Sequence, residues 1–179
     1  MQLPTATASY RSDMSDLLTE TGAKFSDCKR YRYRLWRYWN RTKPALCFLM
    51  LNPSTADDLS NDPTVERCQR RAQSMGFGGL EVANIFAFRS TDPWLLYSIA
   101  DPVGPGNDQA ILDACADAGM VICGWGDHGK LNGRGDAVRN LLSKAGITTH
   151  ALKQNSSGEP KHPLYVSYKT EPMPWGKES

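Results

Sequence analysis

The chain has 179 residues, 40% of them hydrophobic, and a formal net charge of +2; this length supports one domain with a sizeable core and is short for two. The nearly neutral charge selects no class of partner. The sequence has no signal-peptide pattern and no apolar run near the roughly twenty residues of a membrane span, so we expect a cytoplasmic protein that does not enter a membrane. Its five cysteines include no CxxC pair, which argues against a disulfide framework.

The N-terminal region divides into two parts. Residues 1–23 carry no periodic pattern, and we expect a flexible arm there. From residue 24 to 43, basic and aromatic residues interleave, and Arg30, Arg32 and Arg34 recur at the period of a strand. Two interpretations stay open: a basic strand or hairpin that holds nucleic-acid phosphates and bases, or a strand whose arginines line a solvated face.

Strands and helices then alternate, which predicts a parallel sheet wrapped in helices. The apolar run 45–51 is typical of a strand buried on both faces, and Asp62-Pro63-Thr64 has the pattern of a helix N-cap and first turn. The remaining predicted strands are 80–88, 120–125 and 149–153, and the other predicted helices are 92–99, 107–118 and 136–145. We expect one α/β domain over residues 24–171, followed by a tail over 172–179.

Two segments place polar groups where strands of this sheet end. After the first buried strand, Pro53 restricts Asn52 to extended conformations, so the Asn52 side chain lies at a strand's carboxyl end, where ligands of open α/β sheets usually bind. The later segment Lys161-His162-Pro163-Leu164-Tyr165 combines basic and aromatic groups in a loop. Together the two segments predict opposite sides of one pocket.

Motifs spread over residues 52–165 carry a resemblance to a known family. They are NPSTADD, DPTVERC, GGLEVANIFAFRSTDP, DPVGPGND, GWGDHG and GEPKHPLY, and they resemble the bacterial and phage family called domain of unknown function 1643. Their order is also similar to that of the uracil-DNA glycosylase superfamily. This second resemblance implies a three-layer α/β/α sandwich with a central, mostly parallel four-stranded sheet, to which the N-terminal basic strand or hairpin is added.

The same resemblance implies roles for individual residues. Asn52 resembles the residue that positions the hydrolytic water, Asn84 the asparagine that reads the edge of the base, and His162 the histidine that faces the base oxygen. Since an asparagine does not accept a proton from water, Asp57 or Asp58 is the candidate general base. The complete set of candidates comprises the catalytic residues Asn52, His162, Asp57 and Asp58, the substrate-binding residues Pro53, Ser54, Asn84, Phe86, Trp125, Gly126 and Tyr165, and the phosphate contacts Arg30, Arg32, Arg34, Arg134 and Lys161.

These residues predict a DNA N-glycosylase-like hydrolase that acts on a nucleobase, modified bases included, in DNA or in a nucleotide, with DNA favoured over RNA. Breaking the N-glycosidic bond develops negative charge on the leaving base, so the site needs a donor at the base oxygen and a positioned water. Two alternatives stay open: a non-catalytic binder of nucleic acid or modified nucleotides that uses the same pocket, and a protein-interaction module. We expect no metal or other cofactor, since the acidic residues near Asp57 match no calcium loop.

Overall fold

Strands and helices alternate through residues 19–176, the part of the chain that the computed structural model describes. The strands are β1 (Glu20–Phe25), β2 (Arg32–Tyr38), β3 (Ala45–Met50), β4 (Gly79–Asn84), β5 (Ala118–Gly124), β6 (Thr149–Ala151) and β7 (Met173–Pro174). The α-helices are α1 (Pro63–Ser74), α2 (Asn107–Ala116) and α3 (Arg134–Lys144), and short 3-10 helices span Pro93–Tyr97, Asp127–Gly133 and Pro163–Tyr165. The predicted α/β class is confirmed.

The strands form one mixed sheet in the order β1-β2-β4-β3-β5-β6-β7. The four strands expected from their apolar runs, β3, β4, β5 and β6, form its parallel centre. The sheet is larger than the predicted four central strands with an added N-terminal strand or hairpin, because β1 and β2 extend one edge in antiparallel fashion and β7 extends the other. The sheet therefore has seven strands.

Residues of β3 alternate between two hydrophobic cores, which explains why the whole strand is apolar. Cys47 and Leu49 face a core completed by α2 and α3, whereas Leu46 and Phe48 face a core completed by α1. Helices thus cover both faces of the sheet, and polar groups that meet a ligand are confined to the strand ends and loops.

The sheet extends past both predicted limits of the domain. β1 begins at Glu20, inside the predicted arm of residues 1–23, and residues 1–18 of that arm lie outside the described residues. In the predicted tail, β7 pairs with β6, and Trp175 packs against Trp125 with ring centroids 5.4 Å apart. Trp175 is therefore part of the core, while residues 177–179 again lie outside the described part.

Candidate functional site

A cavity of about 500 Å³ lies at the carboxyl ends of β3, β4 and β5. This is the usual ligand position in an open α/β sheet. Both segments predicted to flank one pocket, the loop after β3 and the loop at 161–165, border this cavity, together with the first turn of α1. The sequence-predicted candidates that line it are Arg32, Asn52, Ser54, Asn84, Trp125, Gly126, Lys161, His162 and Tyr165.

Asn52 presents an oxygen to the cavity because its nitrogen is held by the backbone. Nδ2 donates to the carbonyls of Ser90 at 2.9 Å, Pro53 at 3.2 Å and Phe88 at 3.4 Å. These carbonyls fix the orientation of the amide, since only its nitrogen can donate to them. Oδ1 accepts no hydrogen bond from the residues described, so it is free to accept one from a water or a ligand.

The Asn84 carboxamide is buried without a partner. Asn84 is the last residue of β4, is 2% exposed and lines the cavity, yet its side chain makes no hydrogen bond within residues 19–176. Asn107 provides the contrast: it is equally buried, but its Nδ2 donates to the backbone carbonyls of Asn84 and Ile85. Neither amide atom of Asn84 is among the side-chain atoms sealed from solvent without a partner, so the carboxamide faces the cavity and is open to a ligand that bonds both its nitrogen and its oxygen.

His162 is a neutral donor at this cavity. Its Nδ1 accepts a hydrogen bond from the backbone N–H of Leu164 at 3.3 Å, which places the proton of the neutral ring on Nε2. Burial lowers the pKa of His162, and the charge of Asp62 partly opposes that shift. The ring is therefore uncharged at neutral pH and keeps an Nε2–H group for a ligand.

Two arginines of α1 hold the loop that carries His162. Arg67 donates through Nε to the carbonyl of Pro163 at 3.0 Å. One turn later, Arg71 donates to four backbone carbonyls between residues 166 and 170. The position of His162 thus depends on contacts between α1 and the loop backbone.

Arg32 brings a positive charge to the cavity from the start of β2. It is 2% exposed, and its Nη1 donates to the carbonyl of Ala56 at 2.7 Å. Its Nε is buried without a hydrogen-bond partner, and the guanidinium forms no ion pair with a carboxylate of the described residues. Burial lowers the pKa of Arg32 to about 10, a shift that the charge of Asp62 partly opposes, so the group stays cationic at neutral pH.

Two carboxylates that the sequence did not single out as site residues line the cavity. Asp62 is the N-cap of α1, and one of its oxygens accepts the backbone N–H of Val65 at 2.9 Å. Asp127 accepts hydrogen bonds from Ser157 and Asn155, and these bonds lower its pKa. The sequence signal for Asp62 was its place before Pro63, which identified the cap but not the cavity.

Four of the predicted catalytic and substrate-binding residues do not line the cavity. Asp57 accepts the backbone N–H groups of residues 60 and 59, contacts that lower its pKa, and Asp58 is exposed beside it. Phe86 is 0% exposed within the core, and Pro53 is buried. Asp57 is thus a turn-forming residue, and Phe86 a packing residue.

The predicted phosphate contacts separate into two groups. Arg32 and Lys161 line the cavity, whereas the other three arginines do not. Arg34 pairs with a buried glutamate of β4 at 3.0 Å, and Arg134 bridges a backbone carbonyl and a carboxylate at the start of α2. Arg30 is exposed at the surface. The basic segment is therefore neither a uniform phosphate-binding face nor a uniformly solvated one.

Aromatic side chains surround the cavity at different depths. Trp125 is 1% exposed, and its indole N–H donates to Glu159 at 2.6 Å, so this ring is fixed in the core. Tyr165, by contrast, is 73% exposed and packs on the ring of His162. Gly126, with φ of +70°, allows the sharp turn that follows β5.

A second aromatic group meets the cavity through His128, which lines it. Trp94, 65% exposed, packs edge-on against His128 with ring centroids 4.7 Å apart. The Tyr97 hydroxyl lies 3.0 Å from His128 Nδ1. Exposed aromatic faces beside a cavity offer stacking surfaces for a base.

Within residues 19–176, no group of three or more His, Cys, Asp or Glu side chains is placed to hold a metal ion, and no helix combines the length and apolarity needed to cross a bilayer.

The model of the family described as Protein of unknown function (DUF1643) matches residues 32–164, well over half of the chain. A search of the curated proteins and a search of the solved structures each found no match. The expected resemblance to the uracil-DNA glycosylase superfamily has no support from these comparisons.

Proposed function

The chain belongs to the family Protein of unknown function (DUF1643), and we propose that its cavity binds a nucleobase and hydrolyses the N-glycosidic bond that joins the base to its sugar. The observation that carries this proposal is the unpartnered, buried carboxamide of Asn84. A carboxamide offers one donor and one acceptor side by side, which matches the hydrogen-bonding edge of a base. A site built in this way rejects ligands that leave the buried amide unpaired.

The other polar groups of the cavity match the needs of N-glycoside hydrolysis. A water that donates to Asn52 Oδ1 is oriented toward the sugar carbon, although the amide cannot take the proton of that water. As the water oxygen bonds to the sugar carbon, the bond to the base nitrogen breaks and its electron pair leaves with the base. The Nε2–H of His162 then stabilises the negative charge on the base oxygen.

The proton released by the water needs an acceptor. Asp62 takes the place that sequence reasoning gave to Asp57 or Asp58, because it lines the cavity and has one oxygen without a hydrogen bond to a described residue. Asp127 is the other lining carboxylate, and its hydrogen bonds keep it ionised. An anion in this position offsets the positive charge that develops on the sugar.

Base release measured by mass spectrometry tests this proposal. The substrates are free nucleotides, single-stranded DNA and double-stranded DNA that carry uracil, hydroxymethyluracil, hypoxanthine or modified pyrimidines. We expect release of at least one base by the native protein, loss of release in Asn52→Ala, and no change in Asn140→Ala, where an exposed asparagine of α3 is replaced. Binding of nucleic acid or of the free nucleotide that persists in Asn52→Ala separates a catalytic role from a folding defect.

A second candidate function is binding without chemistry. It is favoured by one observation: neither lining carboxylate is hydrogen-bonded to Asn52 or to His162 among the described residues. This candidate predicts saturable, Asn84-dependent binding of a base or nucleotide. It also predicts that no substrate in the panel releases its base.

A further inference from the structure

The Arg32 guanidinium lacks the partners that a buried charge normally has. Nη1 donates to the Ala56 carbonyl, Nε is sealed from solvent without a partner, and Nη2 has no partner among the described residues but is not sealed, so it is the group that a ligand in the cavity can reach. A buried cation that lacks a paired anion is strongly unfavourable unless a ligand or ion completes its contacts. Since Arg32 is 2% exposed and lines the cavity, such a ligand reaches it through the cavity.

The N-terminus of α1 meets the same part of the cavity. Thr64 and Val65 both line it, and α1 has 12 residues. The Val65 N–H is taken by the side chain of Asp62, whereas the Thr64 N–H, at the second position of the helix, has no intrahelical acceptor. A helix N-terminus with a free N–H attracts anions, and a guanidinium forms strong hydrogen bonds to phosphate oxygens.

We propose that Arg32 and the first turn of α1 bind a terminal phosphate, so that the ligand of the cavity is a nucleoside monophosphate rather than a base within a DNA strand. This proposal rests on the proposed function, because it assumes that Asn84 reads the base. An internal phosphodiester would require the strand to enter and leave the cavity around an almost fully buried arginine. A terminal phosphate requires only that one small ligand occupy about 500 Å³, a volume typical of small-molecule sites.

Asp62 allows a test in which the direction of the affinity change is predicted. Its carboxylate lies close enough to influence the pKa of Arg32 without forming an ion pair with it. A bound phosphate would therefore meet a like charge nearby. Asn caps a helix as well as Asp does, so Asp62→Asn removes this charge while it keeps the cap.

Isothermal titration calorimetry with the four 2′-deoxynucleosides, their 5′-monophosphates and inorganic phosphate tests the proposal. We expect at least one monophosphate to bind roughly tenfold or more tightly than its nucleoside, as charge-assisted hydrogen bonds allow. Arg32→Met should remove this advantage, and the exposed-arginine control Arg30→Met should retain it. Asp62→Asn should tighten monophosphate binding several-fold more than it changes nucleoside binding.

The outcomes separate the two proposals. Equal binding of nucleoside and monophosphate, or weaker phosphate binding in Asp62→Asn, overturns the phosphate site and leaves base recognition standing. Absence of monophosphate binding overturns the phosphate site, and only the further absence of nucleoside binding and base release also rejects the proposed function. If Arg32→Met does not fold, the Asp62→Asn comparison still decides, because the exchange keeps the helix cap.

Discussion

Replacing Asn84 with leucine should leave the stability of the protein nearly unchanged and abolish recognition of the base. The residue is 2% exposed, its side chain makes no hydrogen bond to a described residue, and its amide atoms are not sealed from solvent. Leucine therefore breaks no hydrogen bond among the described residues and leaves no buried backbone group unpaired. We expect the free energy of unfolding to change by less than about 1 kcal/mol, which shifts Tm by no more than roughly 2–4 °C for a chain of this length.

Asn107→Leu is the matched control because it changes the same residue type at the same burial. The Asn107 side chain donates to two buried carbonyls, at 2.9 Å and 3.2 Å. Leucine leaves both carbonyls without a donor, at about 0.5–1.5 kcal/mol each, and loss of the unpaired Asn107 Oδ1 offsets part of this. Only Asn107→Leu should thus lower the free energy of unfolding clearly.

Urea denaturation followed by circular dichroism measures both stabilities, and calorimetry measures nucleoside and nucleotide binding. Native-like stability in Asn84→Leu, together with lost binding, marks Asn84 as a recognition residue that the fold does not need. A loss in Asn84→Leu as large as that in Asn107→Leu would refute the reasoning, since it would identify Asn84 as a satisfied core residue.

Three further predictions concern the surroundings of the cavity. Burial lowers the pKa of His162 below its usual 6.5, so only the unfolded chain takes up this proton as pH first falls below 6.5. In a thermal-melt series, Tm should therefore fall more steeply with falling pH in the native protein than in His162→Gln, and the two Tm curves should converge above pH 7. Parallel curves would contradict the assignment. Arg67→Ala removes a donor to the Pro163 carbonyl, so amide hydrogen exchange over residues 162–166 should become faster and ligand affinity should fall. Exchange in β3 should stay unchanged. Unaltered exchange in the loop would show that Arg71 alone holds it. Arg134→Met should lower Tm and leave nucleotide affinity in the folded protein unchanged by calorimetry, and a selective loss of affinity would restore its predicted phosphate role.

The parallel centre of the sheet could be predicted because each of its strands is an apolar run set between helix signals. The edge strands could not: β7 has two residues, and β1 begins in a stretch without a hydrophobic period. The strand predicted over 80–88 ends at Asn84 in the structure. Beyond Asn84 the chain stays buried, but the N–H groups of Phe86 and Ala87 donate to the carbonyls of Leu51 and Val103, outside the strands, a change that hydrophobicity does not reveal.

The candidate site was predictable where a polar residue follows a strand. Asn52 follows β3 and Asn84 ends β4, the neighbouring parallel strand, and both therefore reach one cavity. Asp62 was recognised only as a helix cap, since a one-dimensional pattern does not show that the first turn of α1 borders the strand ends. Trp94 was missed because its position beside the cavity depends on its contact with His128, which comes 34 positions later in the sequence.

The short strand β7 protects the edge of the sheet. It covers β6, and the Trp175 N–H donates to the Thr149 carbonyl at 2.8 Å while its indole is held in the core. An open edge is a template for pairing with a second chain, and proline in an edge strand blocks further pairing because it has no N–H to donate. Pro174 occupies such a position. Loss of these last few residues would expose the backbone of β6 and invite edge-to-edge aggregation, so a C-terminal truncation endangers solubility well before it reaches the cavity.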